Sequence, residues 1–349
     1  MFFSRNRITR AGEILMTSSS ELEVNDALEI INTWRSHHLH PLRVMKNSLI
    51  KLSSSNKVTP ILVSQRLKRL TSIEYKLDLN EKMGLGGMQD IGGFRAVLKD
   101  VRDLEKLKKL IQDSRLSHKL ERISDYVDEP KDSGYRSIHF VYKYNSKVEK
   151  YDGLRLELQI RTKLQHNWAT AVETAGIITN TSLKSSKGPD EWLSFFKIVS
   201  SLFAIKEQLP VLKLHTDKSM EDLMIECYNS CKELKIIETL RVLGVTTNHL
   251  EQQNFPGDYY LININIETKS VQITVFDKNS LEKASEKYLE IEKNIKEQSK
   301  NAVVLVAANS MRLLKKAYPS YFLDTTEFLT ALERINDNCI TRGYLKNNR

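Results

Sequence analysis

From Leu154 to Arg161 the chain reads Leu-Arg-Leu-Glu-Leu-Gln-Ile-Arg, apolar and polar residues in strict alternation. Successive side chains of a strand point to opposite faces, so this period demands a strand and excludes an amphipathic helix. One face holds Leu154, Leu156, Leu158 and Ile160, and the other Arg155, Glu157, Gln159 and Arg161. The chain must therefore build a sheet with one apolar, buried face. Its second face carries carboxylate, amide and guanidinium groups in a row. That face lines something polar, either water over a half-exposed sheet or a ligand.

Other stretches supply the remaining layers. Ile61–Val63, the residues after Gly92-Gly93, and Ile138–Tyr144 read as strands. Helical spacing runs through Glu21–Trp34 and Pro41–Leu52, then through residues 101–122, where Leu104, Leu107, Leu110 and Ile111 back a basic outer face. Lys163–Thr174 and Trp192–Glu207 are two more helices. Pro210 marks a boundary. Beyond it the pattern predicts a helix over 218–243, a loop over 246–257, and a hairpin of Tyr259–Ile266 with Val271–Phe276. A helix Ser280–Lys296, a strand Ala302–Ala308 and helices near Ser310–Ala317 and Thr325–Ile335 follow. No Gly-rich phosphate loop occurs in this last part, which reads as an α/β unit of binding, regulatory or oligomerisation type. The expected class is α/β of the α+β kind, a mixed β-sheet flanked by helices. Its expected parts are a helical lead-in (1–44), a central domain (45–210) and a C-terminal α/β domain (211–349).

A net charge of +9 over 349 residues points to an anionic partner such as nucleotide phosphate, RNA or acidic lipid, although no single polybasic run carries it. Cys227 and Cys231 stand one helical turn apart without a second Cys or His pair, which is not zinc-site spacing. No apolar run reaches signal or membrane-span length. A reduced, soluble, cytoplasmic protein is the expectation.

Four polar blocks stand out. Arg66, Lys68, Arg69 and Lys76, with the Ser72 hydroxyl among them, suit either an anion site or a solvated helix face. Asp90, just ahead of the Gly92-Gly93 strand with Arg95 inside it, is either a magnesium ligand or a turn-capping carboxylate. The stretch Asp125–His139 sets Lys131, Tyr135, Arg136 and His139 around Gly134, after Pro130. A loop with a ring and several cations suits a planar base bearing phosphates, and a polar turn into the next strand gives the same composition. The fourth block is the face of Glu157, Gln159 and Arg161.

In their order and spacing these blocks resemble the synthetase domain of the RelA/SpoT family, which makes guanosine tetra- and pentaphosphate. The matching segments are Arg66-Leu67-Lys68 with Ser72, Ile73 and Lys76, then Asp90 to Arg95. Asp125-Tyr126 with Pro130-Lys131 and Gly134 to His139, and Glu157 to Thr162, complete the set. The resemblance implies a nucleotidyltransferase-like sheet and transfer of the β,γ-pyrophosphate of ATP to the 3′-hydroxyl of GDP or GTP. It implies that Arg66 and Arg95 sandwich adenine, that Lys68, Ser72 and Lys76 hold the triphosphate, and that Asp90 and Glu157 bind Mg²⁺. Glu157 would also help deprotonate the acceptor. Tyr135 would stack on the acceptor base, Lys131 and His139 would reach its phosphates, and Gln159 and Arg161 would complete the floor.

Two departures qualify these expectations. No His-Asp dipeptide occurs, so a small alarmone synthetase without the hydrolase half is expected. Ser133 stands where many members carry Asn, and Gln165–Glu173 follows the Glu-x-Gln strand in an unfamiliar way. The acceptor is therefore open. Alternatives are a branch that pyrophosphorylates the 3′ end of tRNA or makes adenosine alarmones, and a non-catalytic nucleotide-sensing module. Small synthetases of the family often self-associate, so a homo-oligomer is a further expectation.

Overall fold

The computed structural model describes residues 3–114, 117–179, 181, 183, 186–245, 257–265, 270–277, 280–294, 301–307 and 325–346. Three helices open the chain: α1 (Arg5–Thr17), α2 (Glu21–His37) and α3 (Leu39–Ser55). The Ser4 and Ser20 hydroxyls cap the first two by accepting from the Arg7 and Glu23 amides. Next come β1 (Leu62–Leu67), α4 (Leu70–Asp78), β2 (Gly92–Leu98), α5 (Val101–Asp113), β3 (Lys119–Asp125), β4 (Ile138–Lys143) and β5 (Arg155–Thr162). Helices α6 (Lys163–Thr179), α7 (Asp190–Glu207), α8 (Met220–Glu233) and α9 (Ile236–Val245) follow. The chain then runs through β6 (Tyr259–Asn265), β7 (Ser270–Phe276), α10 (Leu281–Asn294), β8 (Asn301–Ala307) and α11 (Thr326–Thr341).

Among the described residues eight strands join one sheet in the order β3-β4-β5-β2-β1-β8-β6-β7. Only the β2–β5 pair is parallel, so the sheet is mixed, as the resemblance implies. One face is sealed by α3 and α5. Leu156, Leu158 and Ile160 of β5, Phe94, Ala96 and Leu98 of β2, and Ile138, Phe140 and Tyr142 of β4 pack there against Leu42, Met45, Leu49, Leu104, Leu107 and Ile111. Each buried Leu, Ile, Phe or Met among them contributes about 1.5–3 kcal/mol by leaving water, which makes this face the main source of stability for the central strands.

Two further cores are built by helices. One joins α1, α2 and α4 through Ile8, Ala11, Ile31, Trp34, Ile73 and Leu77. The second gathers α6, α7, α8, α9 and α11, with the Phe196 and Phe328 rings 6.1 Å apart. That core crosses the expected boundary at Pro210, and so does the sheet, through pairing of Arg66 on β1 with Val306 on β8.

Four differences from the sequence reading have local causes. The helix expected to reach residue 122 ends at Asp113, and Lys119–Asp125 is an edge strand on β4. Its helical spacing stops at Ile111, and strand pairing takes over. Helix α1 falls within the expected helical lead-in but ahead of the first helix expected there, and it buries Ile8 and Ala11. The single helix expected over 218–243 breaks where Lys235 takes a left-handed φ of 48°. Strand β1 extends to Leu67, beyond the expected end at Val63. The expected turn Glu267–Ser270, all but Gly257 of the expected loop 246–257, and the helix near Ser310–Ala317 fall wholly or mainly outside the described residues. Among the described residues no helix is long and apolar enough to cross a membrane.

Candidate active site

Register decides which polar side chains meet. On β1, β2 and β5, Arg66 lies opposite Gly93 and Gly93 opposite Glu157. One pleat along, Ser64 lies opposite Arg95, Arg95 opposite Gln159, and Gln159 opposite His139 of β4. Residues two apart share a face, so these two rows form one polar patch on the side away from α3 and α5. The patch floors a cleft of about 410 Å³, open to solvent, whose lining includes Arg66, Lys68, Asp90, Arg95, Glu157 and Gln159. Glycine at 93 leaves the space between Arg66 and Glu157 open, since an added Cβ would meet nothing closer than 3.9 Å.

The polar face of β5 is not a half-exposed sheet. Glu157 is 9% exposed and Arg161 2%. Buried charge must be compensated, and the two carboxylates are compensated differently. Asp90 accepts from Lys68 Nζ through Oδ2 and from Lys76 Nζ through Oδ1, both at 2.8 Å. Burial alone would raise its pKa, but the two ammonium groups hold the carboxyl well below the usual carboxylate range. Burial in turn lowers the pKa of Lys68, partly offset by Asp90. Glu157 accepts from His139 Nδ1 at 3.0 Å and from Gln159 Nε2 at 2.6 Å. Burial opposes its ionisation, yet these bonds leave its pKa below the ordinary value.

His139 ties the cleft to an aromatic flank. Its second ring nitrogen lies 3.0 Å from the Tyr135 hydroxyl. Burial would lower its pKa, but Tyr135 and Glu157 favour the imidazolium and push it up to about 9. Both ring nitrogens then donate, one to a carboxylate and one to a phenol oxygen. Tyr135 is itself 4% exposed, edge-on to Tyr126 and His139, with Lys131 Nζ 5.5 Å from its ring centre and 4.5 Å from that of Tyr126. Gly134 shapes this flank. Its φ of 89° is left-handed, and a Cβ there would come within 2.9 Å of Ser200 and 3.1 Å of Trp168. Arg136 serves the loop rather than the cleft. It donates to the Val127 and Pro210 carbonyls at 3.0 and 2.6 Å, and burial lowers its pKa to about 10.

Of the residues expected in the site, Arg66, Lys68, Asp90, Arg95, Glu157 and Gln159 line the cleft together. Lys76 joins them through Asp90, His139 through Glu157, Tyr135 through His139, and Lys131 through the two tyrosine rings. Ser72 sits on α4 outside the lining, its amide bonded to the Arg69 carbonyl. Arg161 is also outside the lining. Burial first, and then the Arg95 charge, lower its pKa to about 9, and its Nε and Nη1 lack hydrogen-bond partners. Sequence reasoning missed Ser64 and Gln65, because strand β1 was ended at Val63, and gave Tyr126 no role. Extending β1 in period 2 from Leu62 would have put Ser64 beside Arg66.

Among the described residues no group of three or more His, Cys, Asp or Glu could hold a metal ion alone. Two ionised carboxylates in one cleft do fit Mg²⁺, which is commonly held by one or two carboxylates plus substrate phosphates and water. Each of the four carboxylate oxygens makes one bond here and keeps acceptor capacity.

Residues 65–178 match the family model described as a region found in RelA / SpoT proteins. The GTP pyrophosphokinase YjbM of Bacillus subtilis is 37% identical over 116 residues, which are 31% of this chain and 52% of the relative. An Arabidopsis thaliana protein, "Probable GTP diphosphokinase RSH3, chloroplastic", is 33% identical over 109 residues, 30% of this chain and 14% of its own. The chain thus spans about half the length of the bacterial relative and a smaller part of the plant one. The crystal structure of small alarmone synthetase 1 from Bacillus subtilis, bound to its product pppGpp, aligns with 48% of this chain and 88% of its own. The TM-score is 0.43 and the identity 23%.

Proposed function

We propose that this chain, whose residues 65–178 form a RelA/SpoT-type domain, transfers the β,γ-pyrophosphate of ATP to the 3′-hydroxyl of GDP or GTP. The observation that carries the reading is the cleft itself. Arg66 lies across Gly93 from the ionised Glu157, Lys68 and Lys76 hold the ionised Asp90, Arg95 lines the same cleft, and an aromatic, cationic flank lies next to Glu157.

In the reaction the acceptor 3′-oxygen bonds to the β-phosphorus of ATP, the bond from that phosphorus to the α,β-bridging oxygen breaks, and AMP leaves. Transfer of this kind needs positioning and charge neutralisation more than covalent participation. Arg66 and Arg95 offer guanidinium planes to adenine, and Lys68 and Lys76 are the cations for the triphosphate. Ser72, on the same helix as Lys76, lies outside the cleft lining and is assigned to the triphosphate by resemblance alone. Asp90 and Glu157 would hold Mg²⁺, which would neutralise phosphate charge. Glu157, ionised and 3.0 Å from His139, takes the proton of the 3′-hydroxyl. Lys131, Tyr126 and Tyr135 form the acceptor side, with Gln159 in the floor and Arg161 beneath it.

The test is transfer of label from γ-labelled ATP with Mg²⁺, offering GDP, GTP, AMP, ADP or deacylated tRNA separately. Label in GDP or GTP supports the reading. Label confined to tRNA or adenosine nucleotides reassigns the acceptor, and no transfer to any acceptor overturns the enzyme.

A further inference from the structure

The strand–loop–helix segment that delivers Arg66, Lys68 and Lys76 to the cleft is gripped by residues far away in the chain. Helix α4 begins at Leu70, and its N-cap, Arg69, makes no side-chain capping bond. The Leu70 amide, the first of the helix, therefore has no capping side chain of its own turn to donate to. Glu292 of α10 supplies one. Its Oε1 accepts from the Leu70 amide at 2.8 Å, a carboxylate at the positive end of a helix. Its Oε2 accepts from Arg35 Nη1 at 2.6 Å. Arg35, fully buried on α2, also donates through Nη2 to the Lys68 carbonyl and to Tyr288 Oη, both at 2.7 Å. The Tyr288 hydroxyl donates in turn to Glu292 Oε1 at 2.6 Å. Strand β8 holds the same segment one step earlier, through pairing of Val306 with Arg66.

We infer that Glu292, with Tyr288 and Arg35, is a positioning residue for the ATP side of the cleft, so that α10 and β8 complete the nucleotide site. The inference rests on the reading of that side as the ATP subsite. Its geometry stands independently. Between Arg66 and Leu70 three backbone points are tied from outside the RelA/SpoT region, at Arg66 by Val306, at Lys68 by Arg35 and at Leu70 by Glu292. Lys68 lies at the middle of this span, with its side chain on Asp90. Any tilt of α4 would move Lys76 and the second bond to Asp90. Burial opposes a charge on Arg35, but Glu292 and Tyr288 outweigh it and keep the guanidinium more basic than usual. An ion pair that only filled a core would not favour one substrate over the other.

The test uses the full chain with Glu292→Gln and Tyr288→Phe, and Lys287→Ala on the exposed side of the same helix as control. Glutamine offers one acceptor oxygen where Glu292 uses two, so either the Arg35 Nη1 bond to Oε2 or the Leu70 amide bond to Oε1 is lost, and the charge pairing Arg35 is lost in both cases. Amide exchange over residues 66–72 is followed by mass spectrometry, and KM is measured for ATP and for the acceptor. In Glu292→Gln, exchange over this segment should accelerate about tenfold and the KM for ATP rise about tenfold, with the acceptor KM within about twofold. Tyr288→Phe, which keeps both charges, should shift the same quantities less and carries the test if Glu292→Gln does not fold. Unchanged exchange over 66–72 overturns the inference, as does an equal rise of both KM values. A wild-type protein that transfers nothing overturns the ATP reading instead, and exchange and binding of a non-hydrolysable ATP analogue then decide the positioning role.

Discussion

Strand β5 carries two halves that differ in nearly every physical respect. Leu156, Leu158 and Ile160 point into the α3–α5 layer, where they are among the most buried side chains of the protein. Glu157 and Gln159 point into the cleft and are bonded to each other, and Glu157 is also bonded to His139. The first set gains free energy from leaving water, while the second costs desolvation that hydrogen bonds and ion pairs only offset. Alternate residues of one strand therefore divide between stability and, in the proposed function, chemistry. Replacing Glu157 by Gln should break that division most sharply if it is wrong. The expected loss in kcat is about 10³-fold, ~4 kcal/mol, with a melting temperature within about 2 °C of wild type. Wild-type turnover would remove Glu157 from the reaction, and a large drop in melting temperature would mean that the polar face also holds the fold.

The adjacent glycines of β2 repeat the comparison with a single residue type. At Gly92 a Cβ would approach Leu156 to 2.8 Å, His38 to 3.1 Å and Leu42 to 3.2 Å, on the packed side. At Gly93 it would stand in the open cleft. Gly92→Val should therefore destabilise the protein by ~2–3 kcal/mol, measured by denaturant unfolding, and leave the activity of the folded fraction intact. Gly93→Val should do the reverse. A strand glycine replaced by a β-branched residue gains up to about 1 kcal/mol, while its methyl groups fill the space between Arg66 and Glu157 and cut turnover about 100-fold. Equal behaviour of the two variants would erase the distinction between the faces.

Both faces of β5 were legible in the sequence, because a period of two needs no knowledge of partners. The strands and the helices that cover them followed from alternation and helical spacing, while the mixed pairing and the polar residues that line the cleft followed from the resemblance carried by four short blocks. What stayed hidden depends on distant pairing. Ser64 and Gln65 were missed with the end of β1, and β3 is a strand only because β4 lies beside it. Tyr126 gained a place from the ring contacts of Tyr135 and His139. The bond from Arg35 to Glu292 spans 257 residues, and no local pattern announces it. Arg136 sat in the same block as His139 and had the same apparent suitability for phosphate, yet it clamps carbonyls of its own loop and of Pro210.

The smallest effect is expected where the two halves touch. Tyr135 packs in the core with Trp168 and Phe196, while its hydroxyl reaches His139 and through it Glu157. Tyr135→Phe keeps the ring and removes the bond to His139, worth about 1 kcal/mol. Its unfolding free energy should therefore fall by no more than about 1 kcal/mol, because the buried area is unchanged. Turnover should fall about fivefold, since the imidazole that orients Glu157 loses its second anchor. Steady-state kinetics with either substrate varied provides the measurement. An unchanged rate would make the hydroxyl a bystander and confine Tyr135 to packing. A loss of stability without a loss of rate would move it wholly to the apolar side of the comparison.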